Sequence, residues 1–171
     1  LTSLLKILQK YKIQIISSGG TFRSIKKLGY KCTELSKFTG FGEMLDGRVK
    51  TLHPKIHAGI LHNRSKQHFK EMRGKQFPSI DLIIVNFYPF QQMVLKKKFK
   101  KNIDSIDIGG PTMVRAAAKN FKNVLIITSI NDYKELIIEL KKNNGATSLQ
   151  FREKMASKAF ALTAYYDALI S

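Results

Sequence analysis

The sequence is short of the features that would place it outside the cell or in a membrane. Cys32 is its only cysteine, so no disulfide can form within the chain, which fits a reducing, cytoplasmic setting. Long apolar runs are missing: the longest, Leu82 to Val85 with Phe87 just beyond, is far too short to span a bilayer. The opening residues Leu1-Thr2-Ser3-Leu4 carry neither a basic stretch nor a small-residue cleavage site, so no secretion signal is read there. Acidic residues are scarce, with 12 Asp and Glu against 30 Lys and Arg and a net charge of +18. Such a field attracts phosphate-bearing partners. It does not by itself point to nucleic acid. Twenty-four of the thirty cations are lysines scattered over predicted helices, whereas base and planar phosphate readout lean on arginine. No RNP, zinc-finger or helix-turn-helix signature accompanies them. Neither nucleic acid nor membrane is therefore expected as a partner.

What is present suits one globular domain over residues 1–171, with 43% apolar and 25% charged residues and no internal repeat. Leu1, Leu4, Leu5 and Leu8 recur at helical spacing. Ile13 to Ile16 reads as a buried strand running into Ser17-Ser18-Gly19-Gly20-Thr21, and Phe22, Ile25 and Leu28 then form the face of a second helix, stopped by Gly29. Lys31 to Glu34 is a short strand. From Ser36 to His57 the pattern is irregular and suggests a functional loop. A surface helix is expected within 65–77, and Ile80 to Phe87 is the strongest strand signal, ended by Pro89. A helix begins near Pro111, Val124 to Thr128 is another strand, and Asp132 to Leu140 another helix. After Asn143-Asn144-Gly145 a long helix starts at Ser148. Strands alternating with helices predict an α/β fold with a mainly parallel sheet covered on both faces. In such folds ligands bind beyond the carboxyl ends of the strands.

Several stretches carry chemistry, each with a plainer alternative. Ser18-Gly19-Gly20-Thr21, between a strand and a helix, exposes successive N–H groups and hydroxyls that suit a phosphate. It reads equally as a tight turn with Thr21 as the helix cap. Gly47-Arg48-Val49-Lys50-Thr51-Leu52-His53-Pro54 sets two cations and a hydroxyl within four residues, or is a solvated basic loop. His53 and His57 stand four apart, but Pro-Lys-Ile lies between them and no third ligand is near, so capping or packing is favoured over metal. Asp107-Ile108-Gly109-Gly110 brings a carboxylate to a helix start, with Lys119 later on that helix. The plain alternative is a capping Asp and a surface Lys. Tyr88, in Asn86-Phe87-Tyr88-Pro89-Phe90, is a site residue or a core aromatic.

Together these motifs become specific. In this order, and with Ala116-Ala117-Ala118-Lys119-Asn120, they resemble the N-terminal IMP cyclohydrolase domain of the bifunctional formyltransferase/IMP cyclohydrolases of purine biosynthesis. The resemblance implies the three-layer methylglyoxal-synthase-like fold, and dehydrative closure of 5-formamidoimidazole-4-carboxamide ribotide to inosine monophosphate. It marks Lys50, Tyr88, Asp107 and Lys119 as catalytic. It gives Ser18, Gly19, Gly20, Thr21, Arg48 and Thr51 to the phosphate and ribose, and Asn86, Ile108 and Gly109 to the base. It implies no metal and no organic cofactor for this step, with 10-formyltetrahydrofolate serving the formyltransferase domain, and a homodimeric parent protein. The family starts with a strand and a Ser- and Lys-bearing phosphate loop before the first helix. This chain opens inside that helix, so both, and the formyltransferase domain that follows, are expected to lie outside it. Two relatives of the fold are alternatives: methylglyoxal synthase, whose Gly-Asp-Gln-Gln loop is not found, and a nucleotide-sensing module, which needs no acid–base set.

Overall fold

A computed structural model describes residues 1–86, 103 and 106–171. The chain opens with α1 (Thr2–Lys10), whose Leu4, Leu5 and Leu8 are buried as their spacing requires. β1 (Ile16–Ser17) leads into α2 (Gly19–Lys27), and β2 (Thr33–Glu34) runs directly into the short α3 (Leu35–Thr39). A 3₁₀ turn at Leu45–Gly47 precedes α4 (Pro54–Leu61) and α5 (Lys66–Gly74). β3 (Leu82–Ile84) is followed in the described residues by α6 (Gly109–Lys119), β4 (Leu125–Ile127), a 3₁₀ turn at Ile130–Asp132, α7 (Tyr133–Lys142) and α8 (Leu149–Ile170).

The α/β class is as expected, and the strands pair in parallel. Among the described residues they form two pairs. β1 lies beside β2 with Ile16 opposite Thr33, and β3 beside β4 with Leu82 opposite Leu125. A parallel pair needs a crossover between its strands; α2 supplies one, and α6 lies within the other. The strands are shorter than the apolar runs suggest, because apolar side chains at their ends pack on helices without joining a ladder. Ile13 and Ile80 do so.

The core centres on β4. Val124 to Ile127 are all at most 2% exposed, which is why that run is apolar without alternation. α6 packs on it, on α4 and on α8. The consecutive Ala116, Ala117 and Ala118 are buried and let these backbones approach. Phe151, Met155, Ala156 and Ala159 of α8 close the core against α6 and β4. α8 is tied at its start by Arg152, whose guanidinium donates to the carbonyls of Phe121 (2.9 Å), Lys122 (3.0 Å) and Thr147. Among the described residues no helix is long and apolar enough to cross a membrane.

The irregular stretch 36–57 proves partly helical. His53 is the N-cap of α4, its Nδ1 accepting from Lys55 N at 3.1 Å, and Pro54 occupies the first turn. The capping role preferred for His53 is therefore borne out. Ile56, Gly59 and Ile60 turn one face of α4 into the core, a spacing visible in the sequence but masked by its glycine. His62 is buried and His57 half-buried. The pKa of each is lowered by burial, and among the described residues no partner is found for Nε2 of His57 or for either ring nitrogen of His62.

Candidate functional site

The turn after β1 builds the first half of the site. Gly19 takes a left-handed φ of 55°, a conformation that costs a glycine little, and α2 starts there with Ser18 as its N-cap. Thr21 therefore lies inside the first turn and is not the cap, as the plain alternative had it. The Ser18 side chain makes no capping hydrogen bond, so helix-end N–H groups face outward with the positive end of the helix dipole. An open cleft of about 480 Å³ lies over this turn, lined by Ser18, Gly19, Gly20, Thr21, Ser24 and Lys50.

Lys50 reaches the cleft because of an unusual backbone. Leu45, Asp46 and Gly47 are three consecutive residues with left-handed φ, of 51°, 53° and 83°. They fold residue 43 back over residue 50, where Glu43 Oε1 pairs with Lys50 Nζ at 3.2 Å. A methyl group on Gly47 would come within 2.5 Å of that carboxylate oxygen. One on Gly19 would lie 3.8 Å from Lys50 Nζ, which places the ammonium beside the Ser18–Thr21 turn.

The next residue, Thr51, faces the second half of the site. A methyl group on Gly109 would fall well inside 3.0 Å of Thr51 Oγ1, so the hydroxyl sits on the backbone at the start of α6. Just before it, Asp107 Oδ1 accepts from Gly110 N at 2.9 Å, and the Asp107 N–H donates to Tyr166 Oη on α8, also at 2.9 Å. Residues 47–51 thus bridge two helix N-termini, and a site spanning both has an ammonium, a hydroxyl and a carboxylate within it.

The remaining expected residues stand apart. Lys119 ends α6 and is exposed; at about 1.5 Å per residue its backbone lies roughly 15 Å from that of Gly109. Asn86 follows β3, exposed, with its Nδ2 donating to Tyr133 Oη at 3.0 Å. Arg48 and Ile108 are exposed beside the site. Tyr88 lies outside the described residues. Glu43, Tyr133 and Tyr166 had not been anticipated. Glu43 is brought in by the triple left-handed turn, which has no pattern in the sequence, and Tyr166 from 59 residues away. Among the described residues no group of His, Cys, Asp and Glu could hold a metal ion.

The chain belongs to the MGS-like domain family, whose model matches residues 1–112. Residues 117–171 match the AICARFT/IMPCHase bienzyme family. The chain is 48% identical to the bifunctional purine biosynthesis protein PurH of Bradyrhizobium diazoefficiens, over 97% of its own length and 32% of that protein's. It is 48% identical to PurH of Clostridium botulinum, over 98% and 34%. The chain therefore spans about a third of the length of these curated relatives. A crystal structure of ForH superposes with a TM-score of 0.87 at 29% identity, covering 98% of this chain and 88% of that one. The resemblance drawn from the ordered motifs is borne out by these matches.

Proposed function

We propose that this chain carries the cyclohydrolase step of a bifunctional purine biosynthesis protein, closing 5-formamidoimidazole-4-carboxamide ribotide to inosine monophosphate in the cytoplasm. The observation that supports it best is the bridge made by Lys50 and Thr51 between the Ser18–Thr21 turn and the Gly109 helix start. A ribonucleotide needs an anion site at one end and polar groups for its base at the other, and this segment joins two such places. The names of the relatives, and the bienzyme match over residues 117–171, point to the same chemistry.

In this reading Ser18, Gly19, Gly20 and Thr21, with Arg48 and Thr51, hold the phosphate and ribose. Asn86, Ile108 and Gly109 line the base site. The carboxamide nitrogen attacks the formyl carbon, a carbon–nitrogen bond forms, and the formyl oxygen leaves as water with two protons drawn from the reacting nitrogens. An amide is a weak nucleophile, so orientation and preset charge carry the rate. Asp107 holds the carboxamide and takes part in its proton transfer. Lys50 and Lys119 stabilise the developing oxyanion and supply the proton for water loss, and Tyr88 completes the network. The step uses no metal or organic cofactor; 10-formyltetrahydrofolate belongs to a formyltransferase domain, and the parent protein is a homodimer.

The test is to add the ribotide to the chain and follow inosine monophosphate by absorbance, with Lys50→Ala and Lys119→Ala alongside. Turnover abolished in both variants supports the reading. Lys119 stands at the other end of α6 from Gly109, so a Lys119→Ala variant with unchanged turnover removes it from the catalytic set. A folded chain that neither turns over the ribotide nor binds inosine or xanthosine monophosphate, or that prefers an oligonucleotide at physiological salt, overturns it.

A further inference from the structure

We propose that Tyr166 is a positioning residue for Asp107, so that the last helix sets the geometry of the carboxylate at the start of α6. This rests on the reading above, in which Asp107 holds the carboxamide. Tyr166 is 6% exposed, and a tyrosine hydroxyl this buried requires a hydrogen-bond partner. Its oxygen accepts the Asp107 N–H at 2.9 Å, across 59 residues of sequence. The neighbouring buried hydroxyl on the same face of α8, Thr163, behaves differently and donates to the Phe160 carbonyl of its own helix.

The consequence for Asp107 is that it is held at two points. Tyr166 fixes its main-chain nitrogen, and Gly110 N–H fixes Oδ1 at 2.9 Å. Oδ2 lies so close to the Gly110 backbone that a methyl group there would overlap it. With its main chain anchored to α8 and Oδ1 held by Gly110 N–H, the carboxylate is restrained at both ends, and its remaining lone pairs are available to a ligand. Phenylalanine would fill the same volume in the core. The hydroxyl is what connects α8 to the site. Tyr166 also falls within residues 117–171, the segment that matches the bienzyme family and not the MGS-like model. The positioning contact thus joins the part of the chain that matches the bienzyme to a carboxylate inside the MGS-like part.

The experiment is a double-mutant cycle of Tyr166→Phe and Asp107→Asn, with ribotide turnover measured as kcat and KM separately. Removing one hydrogen bond to a positioned group predicts a kcat about tenfold lower for Tyr166→Phe, with KM changed less than about twofold. In the Asp107→Asn background the same change should have no further effect, because the residue it acts through is already lost. An equal loss in both backgrounds, or a raised KM with kcat intact, overturns the proposal. If Asp107→Asn turns over like the parent chain, the role of Asp107 fails, and with it the ground for this inference. If Asp107→Asn is inactive and Tyr166→Phe turns over like the parent chain, only the inference fails. A second measurement does not depend on turnover or on the variant's folding. In the unmodified chain without nucleotide, the Asp107 and Gly110 amides should exchange with solvent at least tenfold more slowly than the exposed Ile108 amide; rates equal to that of Ile108 overturn it.

Discussion

Gly109 and Thr51 offer a sharp check on how the two halves of the site meet. Alanine at a helix position is ordinarily favoured over glycine by about 0.5–1 kcal/mol, and Gly109 has no left-handed φ to forbid it. The added methyl group would nonetheless lie well inside 3.0 Å of Thr51 Oγ1, at a residue that is itself buried. Overpacking of this kind costs about 1–3 kcal/mol, so Gly109→Ala should be destabilising by roughly 1–2 kcal/mol after the helix gain is subtracted. In a chain of 171 residues that corresponds to a melting temperature lower by about 3–6 °C. Thr51→Ala removes the offending oxygen and leaves Cβ at an ordinary 3.6 Å. The pair Gly109→Ala/Thr51→Ala should then melt within about 2 °C of Thr51→Ala alone, a favourable coupling of about 1–3 kcal/mol. Thermal unfolding followed by circular dichroism measures all four corners. A Gly109→Ala chain as stable as the parent, or two losses that simply add, would refute the packing of Thr51 on the α6 start.

The buried His62 and the half-buried His57 predict a pH effect. Burial lowers the pKa of His57 and of His62, so as pH falls below about 6.5 the unfolded chain takes up protons that the folded one does not. Stability should fall through that window, and urea midpoints at pH 7.5 and 5.5 should differ less in a His57→Gln/His62→Gln chain than in the parent. Arg152→Met leaves three carbonyls without their cationic donor; the expected loss in urea unfolding is about 2–3 kcal/mol, and Arg152→Lys recovers only part of it. Gly47→Ala meets both a left-handed φ of 83° and the Glu43 carboxylate. It should cost about 1–2 kcal/mol and weaken inosine monophosphate binding by calorimetry several-fold, since it disturbs the turn that carries Lys50.

The helices with regular apolar spacing were legible in the sequence, as were the parallel strands at Leu82–Ile84 and Leu125–Ile127. Amphipathic periodicity is written residue by residue, and Leu4, Leu5 and Leu8 bury as it says. α4 was missed because its signal is a cap, His53-Pro54, inside a stretch dominated by glycine and cations. The strand ends were overestimated, since a packed isoleucine and a paired isoleucine look alike in sequence. At the site, the Gly19 turn and the Asp107 helix start were both visible as local motifs. What joins them was not. Glu43 depends on three successive left-handed residues, two of them not glycine, and Tyr166 depends on where α8 packs. Such tertiary facts leave no periodicity behind.

The bridge at residues 50 and 51 also acts as a ruler. Adjacent side chains serve the two turns, and their α-carbons are fixed about 3.8 Å apart by a trans peptide. Anything gripped at one turn is thereby registered against the other to within the reach of the Lys50 side chain. A ligand that shifts the backbone at Lys50 carries Thr51, and the contact with Gly109, along with it. Selection acting on grip and selection acting on alignment would then fall on the same dipeptide, so variation that improves one without disturbing the other should come from residues around the bridge and seldom from the bridge itself.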